Sequence, residues 1–343
     1  MDIGLLSTFI LAIIFIKILI SASEKFGLQD IPNSRSSHKR IIPRSAGIGF
    51  TLAVFLSTLV FNYDYFMEYI HLYVAILIVA LVGLYDDKMN LSHRVKFILI
   101  ILISTYVVLN GVLIDTLGSY FGFPILLPMA VGIPITILAI VGFTNALNLM
   151  DGLDGLAGTL ALIMMVVFLM VGIVHDDIFL ITLSSTFIVS LVVFLAFNWY
   201  PASIFMGDSG SLTLGFVISI LSIKSLAYLS PIAIIFIVAL PIIDTYIVIF
   251  RRLQRGQSPF KADKNHLHHF LYKTKLNVKI SVMMLVYIQL TLSIIGFQMR
   301  ESNQIISLIV FALLVFLFLS LFDQRFKHRN KKPKIKKKKK SQK

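Results

Sequence analysis

Residues 145–158 read NALNLMDGLDGLAG: two amides and two carboxylates among glycines, set between apolar runs. Asp151 and Asp154 are three apart, so a helical turn would put them on one face. The glycines let backbone come close to a ligand. Helix capping before the apolar run from Leu156 could explain one aspartate. It explains neither Asn145 and Asn148 nor the second acid. Two further stretches are of the same kind. LYDDKMNLSHRVKF (84–97) holds adjacent Asp86 and Asp87, a pair that resists ionising together unless a cation is near. FNWYPASIFMGDSGSLTLGF (197–216) sets Asp208 just before a helical run, with Asn198 upstream. Such oxygens suit Mg²⁺, which takes one or two carboxylates together with substrate phosphates.

Basic groups complement the acids. PNSRSSHKRIIPR (32–44) and RRLQRGQSPFKADKNHLHHF (251–270) offer Arg, Lys and His for phosphate oxygens. Acids for a metal beside bases for phosphates imply a substrate with a diphosphate. No G-x-x-x-x-G-K-[ST] loop is present, so P-loop nucleotide hydrolysis is not supported. The three histidines of DKNHLHHF could also be read as a Zn site. An H-E-x-x-H pair is absent, and phosphate or nucleotide contact by imidazole is the favoured reading.

The elements that must position these groups are membrane helices. The chain has 343 residues, is 57% hydrophobic and 14% charged, and has a mean hydropathy of +0.89. Soluble domains carry about 25% charged residues. Apolar runs recur along the whole length, each near the length that crosses a bilayer as a helix. The expected fold is an all-α polytopic membrane protein with eleven spans, near 3–20, 47–61, 70–84, 95–109, 125–143, 156–173, 178–197, 210–222, 232–250, 280–298 and 304–322. Met1 to Ile20 carries Asp2 rather than a basic leader and is expected to be a retained first span. Without cysteine there are no disulfides, thiolate metal sites or thiol nucleophiles.

Lys and Arg fix the expected orientation. They concentrate in alternate loops beginning with residues 21–46, and in the tail, whereas the opposite loops hold only Lys224 and Arg300. The N-terminus is therefore expected outside and the C-terminus in the cytoplasm. Residues 1–322 then form one catalytic membrane domain, and 323–343 a basic, disordered cytoplasmic tail that reinforces orientation rather than binding nucleic acid. Asp86, Asp87, Asp151, Asp154, Asp208 and Asp263 all fall in or beside cytoplasmic loops, and Asp244 near the cytoplasmic end of the ninth span. Asp176 and Asp177 fall outside and are expected to be loop residues. A secondary transporter would hold its ionisable groups near the midplane, often in repeated halves; here the acids gather at one face and no repeat is visible.

Taken in order, DDK (86–88), NALNLMDGLDGLAG, NWYPASIFMGDSGSL (198–212) and DKNHLHHF (263–270) resemble the polyprenyl-phosphate N-acetylhexosamine-1-phosphate transferases, the superfamily of the phospho-MurNAc-pentapeptide translocase. The similarity runs from about residue 30 to 275. It implies transfer of a sugar 1-phosphate from a UDP-sugar to undecaprenyl phosphate, with UMP released and Mg²⁺ required, Mn²⁺ being able to substitute. It places the protein in the bacterial cytoplasmic membrane among membrane lipid, with its site facing the cytoplasm, and leaves room for a homodimer. By motif, Asp208 resembles the Mg²⁺-binding aspartate, with Asp151 as a second metal position. Asp86 and Asp87 resemble the catalytic pair, joined by His266. Asn145, Asn148, Asp151, Asp154 and Asn198 match the nucleotide site, and Lys39, Arg40, Lys96, His268 and His269 the remaining substrate contacts. Leu267 interrupts the histidines, as in the branch that uses UDP-GlcNAc. Ala46 stands where a Gly is usual. The product implied is the first membrane intermediate of a cell-surface polysaccharide of O-antigen, common-antigen or teichoic-acid type. UDP-GalNAc, a deoxy-N-acetylhexosamine or the MurNAc-pentapeptide donor remain alternatives, as do direct attack and a two-step path through a covalent aspartate.

Overall fold

The structure, a computed structural model, describes residues 3–32, 40–254, 256–258, 267, 271 and 277–330. The helices are α1 (Ile3–Phe26), α2 (Ala46–Phe61), α3 (Tyr63–Glu68), α4 (Ile70–Met89), α5 (His93–Leu109), α6 (Met129–Met150), α7 (Leu156–His175), α8 (Ile178–Asn198), α9 (Gly207–Lys224), α10 (Pro231–Ile237), α11 (Ala239–Gln254), α12 (Val278–Gln298) and α13 (Gln304–Asn330). Two small antiparallel ribbons accompany them, β1 (Gln29–Asp30) with β2 (Ile42–Pro43), and β3 (Thr116–Tyr120) with β4 (Phe123–Leu126). This is a multi-pass α-helical membrane architecture. Among the described residues seven helices are long and apolar enough to cross a bilayer, or eight if a bent pair counts as one. Of the expected spans, those on α2 and α5 are shorter, at 16 and 17 residues.

Two expected spans need correction. The segment 125–143 begins as strand β4, and its helix starts only at Met129. The segment 232–250 is not one helix: α10 and α11 meet at 86°. Pro241 gives the reason. It has no N–H for the carbonyl of Ile237, and its ring crowds that oxygen. Inside a membrane the freed groups must find partners. Buried Gln289 on α12 supplies them, donating from Nε2 to Ile237 O (2.6 Å) and accepting from Leu240 N (3.1 Å) at Oε1. Ser293 donates to the same carbonyl at 3.0 Å.

The core is centred on α9, which is buried from Ser209 to Ile223 and packed by α2, α4, α6 and α7. Two close approaches require glycine. A Cβ on Gly47 would lie 1.9 Å from the backbone N of Gly210, and one on Gly83 would lie 2.5 Å from the carbonyl O of Asp208. Backbone thus meets backbone where α2 and α4 touch the start of α9. At the other end of the bundle, Asp177 is more than a loop residue. It caps α8 by accepting from Leu180 N (2.9 Å), and it accepts from the Tyr228 hydroxyl at 2.8 Å.

Candidate active site

α4 delivers its acids at its last turn and then stops at Asn90, which adopts a left-handed conformation. The chain turns at once into α5, whose first turn is capped by Ser92. That short return sets Lys96 opposite Asp86. Asp86 accepts from Leu91 N with Oδ1 (2.6 Å) and pairs with Lys96 Nζ through Oδ2 (2.5 Å). The same ammonium is bonded to Oδ2 of Asp208, at the start of α9. Asp208 Oδ1 accepts from Asn148 Nδ2 at 3.0 Å, and Asn148 also donates to Ser211 Oγ at 2.8 Å. Three of the motifs singled out in the sequence therefore meet: the 84–97 segment, the end of α6 and the start of α9.

Asp87 faces a different way. Its Oδ1 accepts from Asp208 N (2.8 Å), and its Oδ2 from Ser45 Oγ (2.7 Å) and Ser209 N (3.2 Å). Of the two adjacent acids, Asp86 looks towards Lys96, and Asp87 is buried against backbone. The loop before α2 runs alongside. Ala46 N and Gly47 N donate to the carbonyls of Phe205 and Met206 (3.1 and 3.0 Å), and Phe205 N donates to Pro43 O (2.8 Å). Those contacts are made by main chain.

Asp151 follows the last residue of α6 and is half-buried. Burial, reinforced by the negative charges of Asp208, Asp87 and Asp154, pushes its carboxyl from 3.8 up to about 7. It thus belongs electrostatically to the same acid cluster. Asp154 and Asn198 do a more local job. Asn198 is buried, and its amide is fully used, accepting from Gly155 N (2.9 Å) and donating to Ile204 O (2.8 Å). Asp154 accepts from Ala202 N at 3.0 Å. Both tie the 151–155 loop to the 198–206 loop. Asn145 is exposed on α6 and, among the described residues, joins none of these bonds. Arg40 is exposed just before β2. Lys39, His266, His268 and His269 lie outside the described residues.

The donor set fits a hard divalent cation in type. Its charged groups are carboxylate oxygens, and the Lys96 ammonium between Asp86 and Asp208 acts as a stand-in cation. Among the described residues no three His, Cys, Asp or Glu side chains stand close enough to hold a metal alone. The residues missed from sequence are Ser45 and Ser211. Neither carries charge, and Ser45 sits in a loop whose partners are distant in the chain.

Residues 69–226 match the family model described as Glycosyl transferase family 4. A relative from Bacillus subtilis (strain 168), named as a probable undecaprenyl-phosphate N-acetylglucosaminyl 1-phosphate transferase, is 33% identical over 317 residues, covering 88% of this chain and 87% of the relative. The chain belongs to the polyprenyl-phosphate N-acetylhexosamine-1-phosphate transferase family. Further members that it resembles include the undecaprenyl-phosphate alpha-N-acetylglucosaminyl 1-phosphate transferases of Escherichia coli (strain K12), 24% identical over 327 residues, and of Salmonella typhi, 26% identical over 328. Each match covers 92% of this chain and 89% of the relative. The family match from residue 69 to 226 includes Asp86, Lys96, Asn148, Asp151 and Asp208, the groups that converge in space.

Proposed function

We propose that this transferase moves N-acetylglucosamine 1-phosphate from UDP-GlcNAc to undecaprenyl phosphate, releasing UMP. The observation that carries this reading is the meeting of Asp86, Lys96, Asn148 and Asp208 at one end of the bundle, in a chain whose relatives are named for that reaction. The Lys and Arg bias of the loops supports a site that faces the cytoplasm, in a protein of the bacterial cytoplasmic membrane with its N-terminus outside. The product is the first membrane-bound intermediate of a cell-surface polysaccharide.

An oxygen of the lipid phosphate attacks the β-phosphorus of the donor. The bond from that phosphorus to the bridging oxygen breaks, and UMP leaves with the electron pair. Mg²⁺, when bound, supplies positive charge for the diphosphate oxygens. Asp208 and Asp86, with Asp151 nearby, are the oxygens that would hold it, and Asn148 fixes the Asp208 carboxylate. Lys96, once freed from those carboxylates, is placed to neutralise phosphate oxygens. A phosphate monoester has a second pKa of about 6 and is mostly dianionic at neutral pH, so the acceptor needs little help from a base. Direct attack is favoured over a covalent aspartate, since the dianionic acceptor is itself a good nucleophile.

UMP release should be measured with purified protein, Mg²⁺, undecaprenyl phosphate and a panel of UDP-N-acetylhexosamines. Release that needs both lipid and metal, fastest with UDP-GlcNAc, is the expected result. No UMP from folded protein with any donor would overturn the assignment, and a preference for another sugar would revise the donor.

A further inference from the structure

The first turn of α9 is held from outside its own chain segment. Met206 occupies the N-cap position and makes no capping bond. The first free backbone N–H groups of the helix, at Asp208 and Ser209, go instead to the carboxylate of Asp87 on α4. Helix N-termini leave such donors unsatisfied, and an anion there is favoured by the dipole. Asp87 is 4% exposed and Ser45 0%. Gly207 adjoins the clamp, and a Cβ there would lie 2.5 Å from Asp87 Oδ2.

Ser45 is the unexpected member. Its φ of +76° lies in the left-handed region that favours glycine. A stability-driven choice at this position would be Gly, which adopts that backbone without strain. The hydroxyl spends its hydrogen on Asp87 Oδ2 at 2.7 Å. It thereby fixes the carboxylate that fixes α9.

We infer that Ser45 is a positioning residue of the active site: through Asp87 it sets the first turn of α9, and with it the place of the Asp208 carboxylate. The catalytic consequence rests on the proposed reaction. Asp87 then acts through structure, and Asp86 alone of the pair faces the reacting groups.

The test compares Ser45→Gly and Ser45→Ala with wild type in three measurements: thermal midpoint, steady-state UMP release, and amide hydrogen exchange of residues 207–211. Gly relieves the backbone strain but gives up the bond to Asp87, so S45G should melt close to wild type. Both variants should still lose about tenfold in kcat with KM for the UDP-sugar little changed, as expected for one lost hydrogen bond to a charged group. Amides 208 and 209 should exchange faster in both. Wild-type kcat and wild-type protection in S45G would overturn the inference. So would a kcat loss in S45G that tracks a fallen thermal midpoint, since that would be unfolding. If wild type itself releases no UMP, the reaction assignment fails, and exchange in S45G decides on the clamp by itself.

Discussion

Asp208 is the acid at which the cluster converges, because its carboxylate meets both Lys96 and Asn148. Asp208→Asn keeps the shape and removes the charge. It should lower UMP release by at least about 100-fold, the scale of losing a group that stabilises developing charge, with the thermal midpoint nearly unchanged. Turnover near wild type in that variant would sink the metal-holding role. Asp151 makes a prediction of a different sort. Its carboxyl is raised to about 7 in the fold from an ordinary 3.8, so the folded state binds its proton more tightly than the unfolded chain. That contribution to stability is complete below the unfolded value and is lost as pH rises through about 7. Asp151→Asn should therefore raise the thermal midpoint at pH 8, and the gain should shrink as pH falls towards 5. A gain that is constant across that range would contradict the assignment. Both acids stand out in the sequence, since bare carboxylates beside apolar runs are costly. Which of Asp86 and Asp87 faces the site was not legible there. Both are last-turn residues of α4, and only the rotation of α4 against α9 separates them.

Helices supply the next level. Apolar length predicted most of them, because a span needs about 20 residues whatever surrounds it. The broken ninth span shows what apolar length misses: Pro241 was in the run, but the sharpness of the bend depends on α12. Gln289→Leu should leave Ile237 O and Leu240 N without their side-chain partner. The expected cost is about 1–3 kcal/mol, read as a lower thermal midpoint in detergent, whereas Gln289→Glu, which keeps an acceptor for Leu240 N, should lose less if protonated. Equal stability of wild type and the Leu variant would mean that the bend is held otherwise. The amides behave similarly. Asn198, expected from its motif at the nucleotide site, bonds Gly155 N and Ile204 O across two loops.

For the whole molecule, the acid cluster belongs to one end of the bundle, and the β3–β4 ribbon to the other. The absence of cysteine makes the orientation directly measurable. Ser258→Cys lies in the basic 251–279 loop, and Ser302→Cys in the opposite set; both positions are exposed. A membrane-impermeant thiol reagent added to intact cells should label S302C and spare S258C until the cells are opened. The reverse pattern would invert the topology and move the site to the outer face.

Sequence by itself determined that this is a helical membrane protein, which segments are apolar, and which acids, amides and bases are the candidates for chemistry. Each is a local property, set by residue type and run length. Tertiary structure alone decided that Lys96 bridges Asp86 and Asp208, 112 residues apart for the latter pair. It also decided that Asp87 caps a helix 121 residues further on, with Ser45 holding it there. A carboxylate's role depends on which donor stands within 3 Å, and no spacing along the chain specifies that distance.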